Sequence, residues 1–238
     1  RILVLAPGPE HAPHLIMVHG MSRMLQAFGT PESRFCFGAS GLDIPGLLAE
    51  LEHCSKKGQA VALLGSSFGF VHLFDAMEER GMKLKLPPGS RLMDAGGYKG
   101  RSREIARSAF VEWAGAMLGL PAERVINLLG MTELASQVYD QVEPNLASPS
   151  RMKKPPPWVR SRVMDPRKIR DGDLAEMEPG RPGLLQHFDL ANVERPMAIQ
   201  SEDIGVAQNG GFEVLKRAKG AEPRGCSLTL EEFQRLKG

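Results

Sequence analysis

The sequence has little from which to build a disulfide scaffold, a membrane span or a nucleic-acid surface. Three cysteines in 238 residues cannot form a complete disulfide set, which points to a reducing compartment, and we expect a cytoplasmic protein. No apolar run approaches the roughly 20 residues of a membrane-spanning helix, and no signal peptide is visible. The formal net charge is only +2, so there is no general pull toward nucleic acid. The basic runs at 101–107 and 151–154 lack the interleaved aromatics of single-strand binders. The histidines are scattered without metal-ligand spacing, and no zinc site is assigned. The Gly-Lys-Ser/Thr of a Walker phosphate loop is also missing. The chain opens at Arg1 and enters a strand-like run, Ile2-Leu3-Val4-Leu5, at once. We read this as a chain missing an N-terminal part.

What is present is ordinary globular material, 42% hydrophobic and 24% charged, long enough for one large domain or two small ones. Strand-like and helical patterns alternate up to about residue 145. Helical spacing covers 15–28, Asp43 can cap a helix through Leu47, Leu48 and Leu51, and further helices are expected over 70–80 and 103–118. Gly81 and Gly119 close the last two. Short apolar strands are expected at 34–37, 60–64, 91–93 and 125–129. Repeated βα units imply an α/β fold, a mainly parallel sheet flanked by helices.

Composition then shifts. Pro144, Pro149 and Pro155-Pro156-Pro157 mark a stiff connection. Strand-like runs follow at 158–164, 183–188, 197–201 and 212–215. Asp171-Gly172 and Asn209-Gly210-Gly211 read as hairpin turns. A final short helix is expected over 229–236. We expect an α/β subdomain over 1–150 and a smaller β-rich subdomain over 151–238.

Five segments carry the chemical signal. Gly130-Met131-Thr132-Glu133 follows the strand Val125–Leu129, and strand ends are where open α/β sheets bind ligands. A hydroxyl there can hold a phosphate oxygen and a carboxylate the accompanying metal; an N-cap role for Thr132 is the structural alternative. Asp94-Ala95-Gly96-Gly97 ends another strand, and tandem glycines let backbone approach a flat ring or a phosphate, or simply make a tight βα turn. Asp203, before Ile204-Gly205, ends a strand-like run; it could accept ribose hydroxyls or be a solvated turn residue. Cys226 has Arg224 two residues before it, and a guanidinium lowers a thiol pKa from its ordinary value of about 8.5. Cys36 and Cys54 lie in apolar patterns and read as inert core residues. Finally, Gly65-Ser66-Ser67-Phe68-Gly69 fits a G-x-S-x-G nucleophile elbow, with His187 as the one downstream histidine for a triad. Small residues passing close to a sheet give the same pattern, and we favour that reading over an α/β-hydrolase using Ser67. A nucleotide-binding module without catalysis is the other alternative.

Together these segments resemble the adenylate-forming enzymes, the acyl- and aryl-CoA ligase superfamily, and within it the acyl-protein synthetase (LuxE) family. The resemblance runs over nearly the whole chain. It rests on Gly96–Gly100, Gly130–Glu133, His187–Asn192, Glu202–Gly205 and Gly220–Leu228 in that order. It implies ATP and Mg²⁺ as cofactors, a fatty or other carboxylic acid as substrate and an acyl reductase as a partner. It implies that Gly96 and Gly97 line the adenine and acyl-adenylate pocket. Thr132 would hold the α-phosphate, Glu133 the Mg²⁺, and Asp203 with Arg217 the ribose. Cys226 would accept the acyl group as a thioester. This sequence departs from the superfamily pattern in four ways. The given residues contain no Ser/Thr/Gly-rich phosphate loop, and too few follow Arg217 here for us to expect the mobile C-terminal domain with its catalytic lysine. Leu129 stands where an aromatic is usual, and Lys216 where a glycine is.

Overall fold

A computed structural model describes residues 1–38, 41–96, 105–141 and 151–220. Gly97, Arg224 and Cys226 lie outside these described residues, as does the short helix expected over 229–236. The described residues fall into two compact units, 1–127 and 128–220. The division runs inside a strand, between Asn127 and Leu128, rather than near the proline-rich stretch at 150.

The first unit is a parallel α/β sheet flanked by helices, as the alternating pattern implies. Its elements are β1 (Ile2–Leu5), α1 (Ile16–Phe28), β2 (Arg34–Phe35), β3 (Phe37–Gly38), β4 (Gly41–Leu42), α2 (Ile44–Lys57), β5 (Ala62–Ser66), α3 (Ser67–Glu79), β6 (Arg91–Ala95), α4 (Arg107–Leu118) and β7 (Val125–Leu129). The strand order is β2-β1-β5-β6-β7, with β1 parallel to both β2 and β5, and β5 parallel to β6. β3 and β4 form a separate antiparallel pair, so the run expected as one strand over 34–37 is broken at Cys36.

Local chemistry sets the helix ends. Asp43 caps α2, its carboxylate accepting the Gly46 N–H at 2.9 Å. Gly58 and Gly119 close α2 and α4 with φ of 68° and 66°, a left-handed conformation that costs glycine nothing. The buried face of α2 is Leu47, Leu48, Leu51 and Cys54. The helices and sheet enclose one apolar core in which Phe70, Phe74 and Phe110 pack ring to ring, centroids 5.8–6.3 Å apart.

The second unit is β-rich and antiparallel. It contains β8 (Val138–Asp140), β9 (Lys153–Lys154), β10 (Val159–Met164), α5 (Pro166–Arg170), β11 (Pro182–Asp189), β12 (Ala198–Gln208) and β13 (Gly211–Arg217). The order is β10-β11-β12-β13-β9-β8, and β8 pairs with Leu128 and Leu129 at the end of β7. Val138, Val163, Leu185 and Phe212 form its buried centre. Asn209 (φ 49°) and Gly210 (φ 74°) make the tight β12–β13 hairpin turn that the sequence announces. Asp171-Gly172 is not a hairpin turn. Asp165 caps the unexpected helix α5, with Pro166 at its first position, and Asp171 ends it.

Candidate functional site

Three strands of the first unit end on a buried polar network. The Asp94 side chain is 1% exposed, an acidic group on a strand whose other inward residues are apolar. It accepts hydrogen bonds from Ser67 Oγ at 2.7 Å, Arg107 Nη1 at 2.6 Å and Asn127 Nδ2 at 2.9 Å. A buried carboxylate persists only when paired and hydrogen-bonded in this way. Ser67 Oγ also lies 3.1 Å from the Gly96 carbonyl oxygen. Gly96 has φ of 81°, and among the described residues nothing lies within 4 Å of where a Cβ would stand.

The G-x-S-x-G segment is a strand-to-helix turn. Ser66 caps α3, its hydroxyl oxygen accepting the Gly69 N–H at 3.0 Å. A Cβ on Gly65 would stand 2.9 Å from Leu5 Cβ, so the glycine is needed for close passage beside β1. Ser67 is 3% exposed and bonded to a carboxylate and a carbonyl. His187 is committed elsewhere. It is fully buried on β11, its Nδ1 lies 2.8 Å from Ser161 Oγ, and burial lowers its pKa to about 4.

In the second unit, Thr132 and Glu133 occupy the corner of a turn closed by the Leu134 N–H donating to the Met131 carbonyl at 3.1 Å. Both are exposed, while Leu134 is buried beneath them. No helix follows, which corrects the N-cap alternative for Thr132. The chain returns as β8, because a loop after β11 has captured the amides that would have opened a helix. The Asp189 carboxylate accepts the Ser136 N–H at 2.8 Å and the Ser136 hydroxyl at 3.0 Å. Asn192 Oδ1 accepts the Ala135 N–H at 2.8 Å. Asp189 is fully buried and Asn192 is 8% exposed.

Asp203 does not end a strand, contrary to expectation. β12 continues to Gln208, and Asp203 sits within it beside a register shift between Ile204 and Gly205. A Cβ on Gly205 would meet the Glu213 carbonyl oxygen at 2.6 Å, so glycine lets the irregular strand stay paired. Arg217 is the cross-strand partner of Asp203. Its Nη1 lies 3.8 Å from Asp203 Oδ1, and its Nη2 donates to Glu202 Oε2 at 2.8 Å.

Cys36 and Cys54 are both fully buried. Burial pushes the Cys36 thiol up to about 11 and raises that of Cys54.

The expected residues thus distribute as follows. Gly96 lies in the first unit; Thr132 and Glu133 share one turn of the second, and Asp203 and Arg217 form a pair there. The sequence motifs include Asp94, Asp189 and Asn192 without giving them a role, and Asn127 reads there only as part of a strand. Asp94 and Asn127 carry a signal in retrospect, a polar residue inside a short apolar strand (Leu92-Met93-Asp94-Ala95 and Val125-Ile126-Asn127-Leu128). Among the described residues no cluster of three or more His, Cys, Asp or Glu is suited to a metal. No described helix is long and apolar enough to cross a membrane.

Solved structures of low sequence identity share the fold. One is McyG A-PCP complexed with phenylalanyl-adenylate (TM-score 0.58, 16% identity, covering 92% of this chain and 40% of that one). Another is a long-chain-fatty-acid-CoA ligase from Archaeoglobus fulgidus (TM-score 0.56, 14% identity, 92% and 44%). The acyl-protein synthetase LuxE profile matches residues 6–234, and the chain belongs to that family. It is 24% identical over 189 residues to the long-chain-fatty-acid–luciferin-component ligase of Aliivibrio fischeri, covering 74% of this chain and 46% of that protein. The chain therefore spans less than half the length of these relatives.

Proposed function

We propose that this chain takes part in ATP-dependent activation of a fatty or other carboxylic acid, followed by transfer of the acyl group to Cys226. The carrying observation is the Thr132–Glu133 turn. Its backbone is tied down from below, while its hydroxyl and carboxylate are left exposed in a chain of the acyl-protein synthetase family.

A carboxylate is a poor electrophile because its own charge repels nucleophiles. Adenylation removes that charge and supplies a leaving group. An oxygen of the acid attacks the α-phosphorus of ATP, the bond to the β-phosphate oxygen breaks, and pyrophosphate departs. Negative charge grows on the α-phosphate oxygens, which the Thr132 hydroxyl is suited to stabilise. The Glu133 carboxylate makes no hydrogen bond or ion pair among the described residues, and Mg²⁺ is commonly held by one carboxylate together with substrate phosphates, so the residues present fit the ion. Mg²⁺ bound there would neutralise phosphate charge. The Gly96 turn is suited to an adenine face, and Asp203, steadied by Arg217, to the ribose hydroxyls. The Cys226 thiolate would then attack the acyl carbon, releasing AMP and leaving a thioester. Delivery to a reductase would complete the sequence.

The test is to incubate the protein with ATP, Mg²⁺, a long-chain fatty acid and hydroxylamine, and to measure acyl hydroxamate and pyrophosphate. Both should form with wild type and with Cys226→Ser, and neither with Glu133→Gln. Pyrophosphate release unaffected by Glu133→Gln would sink this assignment.

A further inference from the structure

We propose that Asn192 is a positioning residue for the metal-binding carboxylate of Glu133. This rests on the reading of Glu133 just given, and it adds a residue to which no role has been attached. Asn192 spans the back of the turn with both ends of its amide. Its Nδ2 donates to the Glu133 carbonyl oxygen at 2.8 Å and to the Pro196 carbonyl oxygen at 3.1 Å, while its Oδ1 accepts the Ala135 N–H at 2.8 Å. Arg195, from the same loop, donates through Nη1 to the Thr132 carbonyl oxygen at 2.5 Å. Two consecutive carbonyl groups are thereby held by the loop after β11. The side chains of Thr132 and Glu133 are exposed, and the peptides that carry them are not free to rotate.

An exposed two-residue corner would otherwise sample several backbone conformations, and ordering it would subtract from the binding free energy of metal and nucleotide. Supporting hydrogen bonds of this sort typically account for 10- to 100-fold in metal affinity or activity. The chemistry also explains why an amide suits position 192. A donor must face two carbonyl oxygens and an acceptor must face an N–H, which aspartate cannot satisfy and asparagine can.

The experiment measures ATP affinity by calorimetry across a Mg²⁺ titration, with the melting temperature recorded for each protein. The proteins are wild type, Glu133→Gln, Asn192→Ala, Asn192→Asp and Arg195→Ala. Wild type should bind ATP more tightly with Mg²⁺, and Glu133→Gln should lose that gain. Asn192→Ala should lose about tenfold of the Mg²⁺-dependent affinity while keeping the Mg²⁺-free affinity. Asn192→Asp should be no better, because its second oxygen would face two carbonyls. Arg195 is exposed, so Arg195→Ala tests the same clamp at little risk to folding, with a smaller loss in the same direction. Two results overturn the proposal while leaving Glu133 as the ligand. One is a Glu133→Gln loss with wild-type affinities in both Asn192→Ala and Arg195→Ala. The other is an equal loss with and without Mg²⁺ in Asn192→Ala, which marks a purely structural role. If Asn192→Ala does not fold, Arg195→Ala decides. Wild-type ATP binding that ignores Mg²⁺ removes the Glu133 reading itself, and this inference with it.

Discussion

Ser67 donates its hydroxyl hydrogen to Asp94 across 2.7 Å, with Asp94 also held by Arg107 at 2.6 Å. A serine bonded to a buried carboxylate and a backbone carbonyl has no imidazole to take its proton. The hydroxyl serves the sheet ends.

A fluorophosphonate probe should therefore leave Ser67 unlabelled, and stoichiometric labelling would restore the hydrolase reading. Ser67→Ala should fold but lose about 1–3 kcal/mol, because the buried Asp94 carboxylate loses one of its three side-chain donors. Asp94→Ala should cost more, about 3–5 kcal/mol, since it removes the buried carboxylate to which Ser67, Arg107 and Asn127 all donate. Urea denaturation of the three proteins checks both values.

The α/β half was legible because its signals are local. Asp43 before an apolar face, Gly119 after one, and Val125–Leu129 as a strand all follow from one-dimensional pattern. What was not legible depends on partners distant in sequence. Asn192 lies 59 residues from Glu133, and nothing in either segment reports that one amide ties the other's carbonyl. The end of β12 was misplaced for a related reason. Gly205 looks like a strand breaker in sequence, yet here it accommodates the Glu213 backbone and the strand continues. Asp171-Gly172 shows the reverse error, a hairpin dipeptide used to end a helix.

Gly205→Ala should destabilise the second unit by about 1–3 kcal/mol, since the new methyl would stand 2.6 Å from the Glu213 carbonyl oxygen and 2.8 Å from Leu185 Cδ2. Because Asp203 lies two residues away on the same irregular strand, ATP affinity should fall as well. A drop in melting temperature with unchanged ATP affinity would separate Asp203 from the nucleotide.

His187 gives the protein an acid limb. Its folded pKa is depressed to about 4 by burial, below the unfolded value of about 6.5. Between those two values the unfolded chain binds the extra proton and the folded one does not. Stability contributed by neutral His187 is thus complete above about pH 6.5 and is lost as pH falls toward 4, by about 3 kcal/mol. Denaturation of wild type and His187→Gln at pH 4.5 to 7.5 should show a shallower acid slope in the variant. Parallel slopes would mean that His187 protonates in the folded state without cost.

The cysteines differ in ways that make the thioester assignment testable. Cys36 is fully buried with its thiol raised to about 11, and Cys54 is fully buried with its thiol raised by the same cause. Neither is expected to form thiolate near neutral pH, and neither reaches solvent. Iodoacetamide at pH 7.5 should therefore spare both until the protein is unfolded. With ATP, Mg²⁺ and a labelled fatty acid, label should appear on the protein, resist gel denaturation and be released by neutral hydroxylamine, the signature of a thioester. Cys226→Ser should abolish the labile label while pyrophosphate release continues, because adenylation precedes transfer in the proposed reaction. Cys36→Ser and Cys54→Ser should retain it. A hydroxylamine-labile label that survives Cys226→Ser and disappears with either buried cysteine would show that the acyl group reaches the core thiols by transient opening, and the assignment of Cys226 would be wrong.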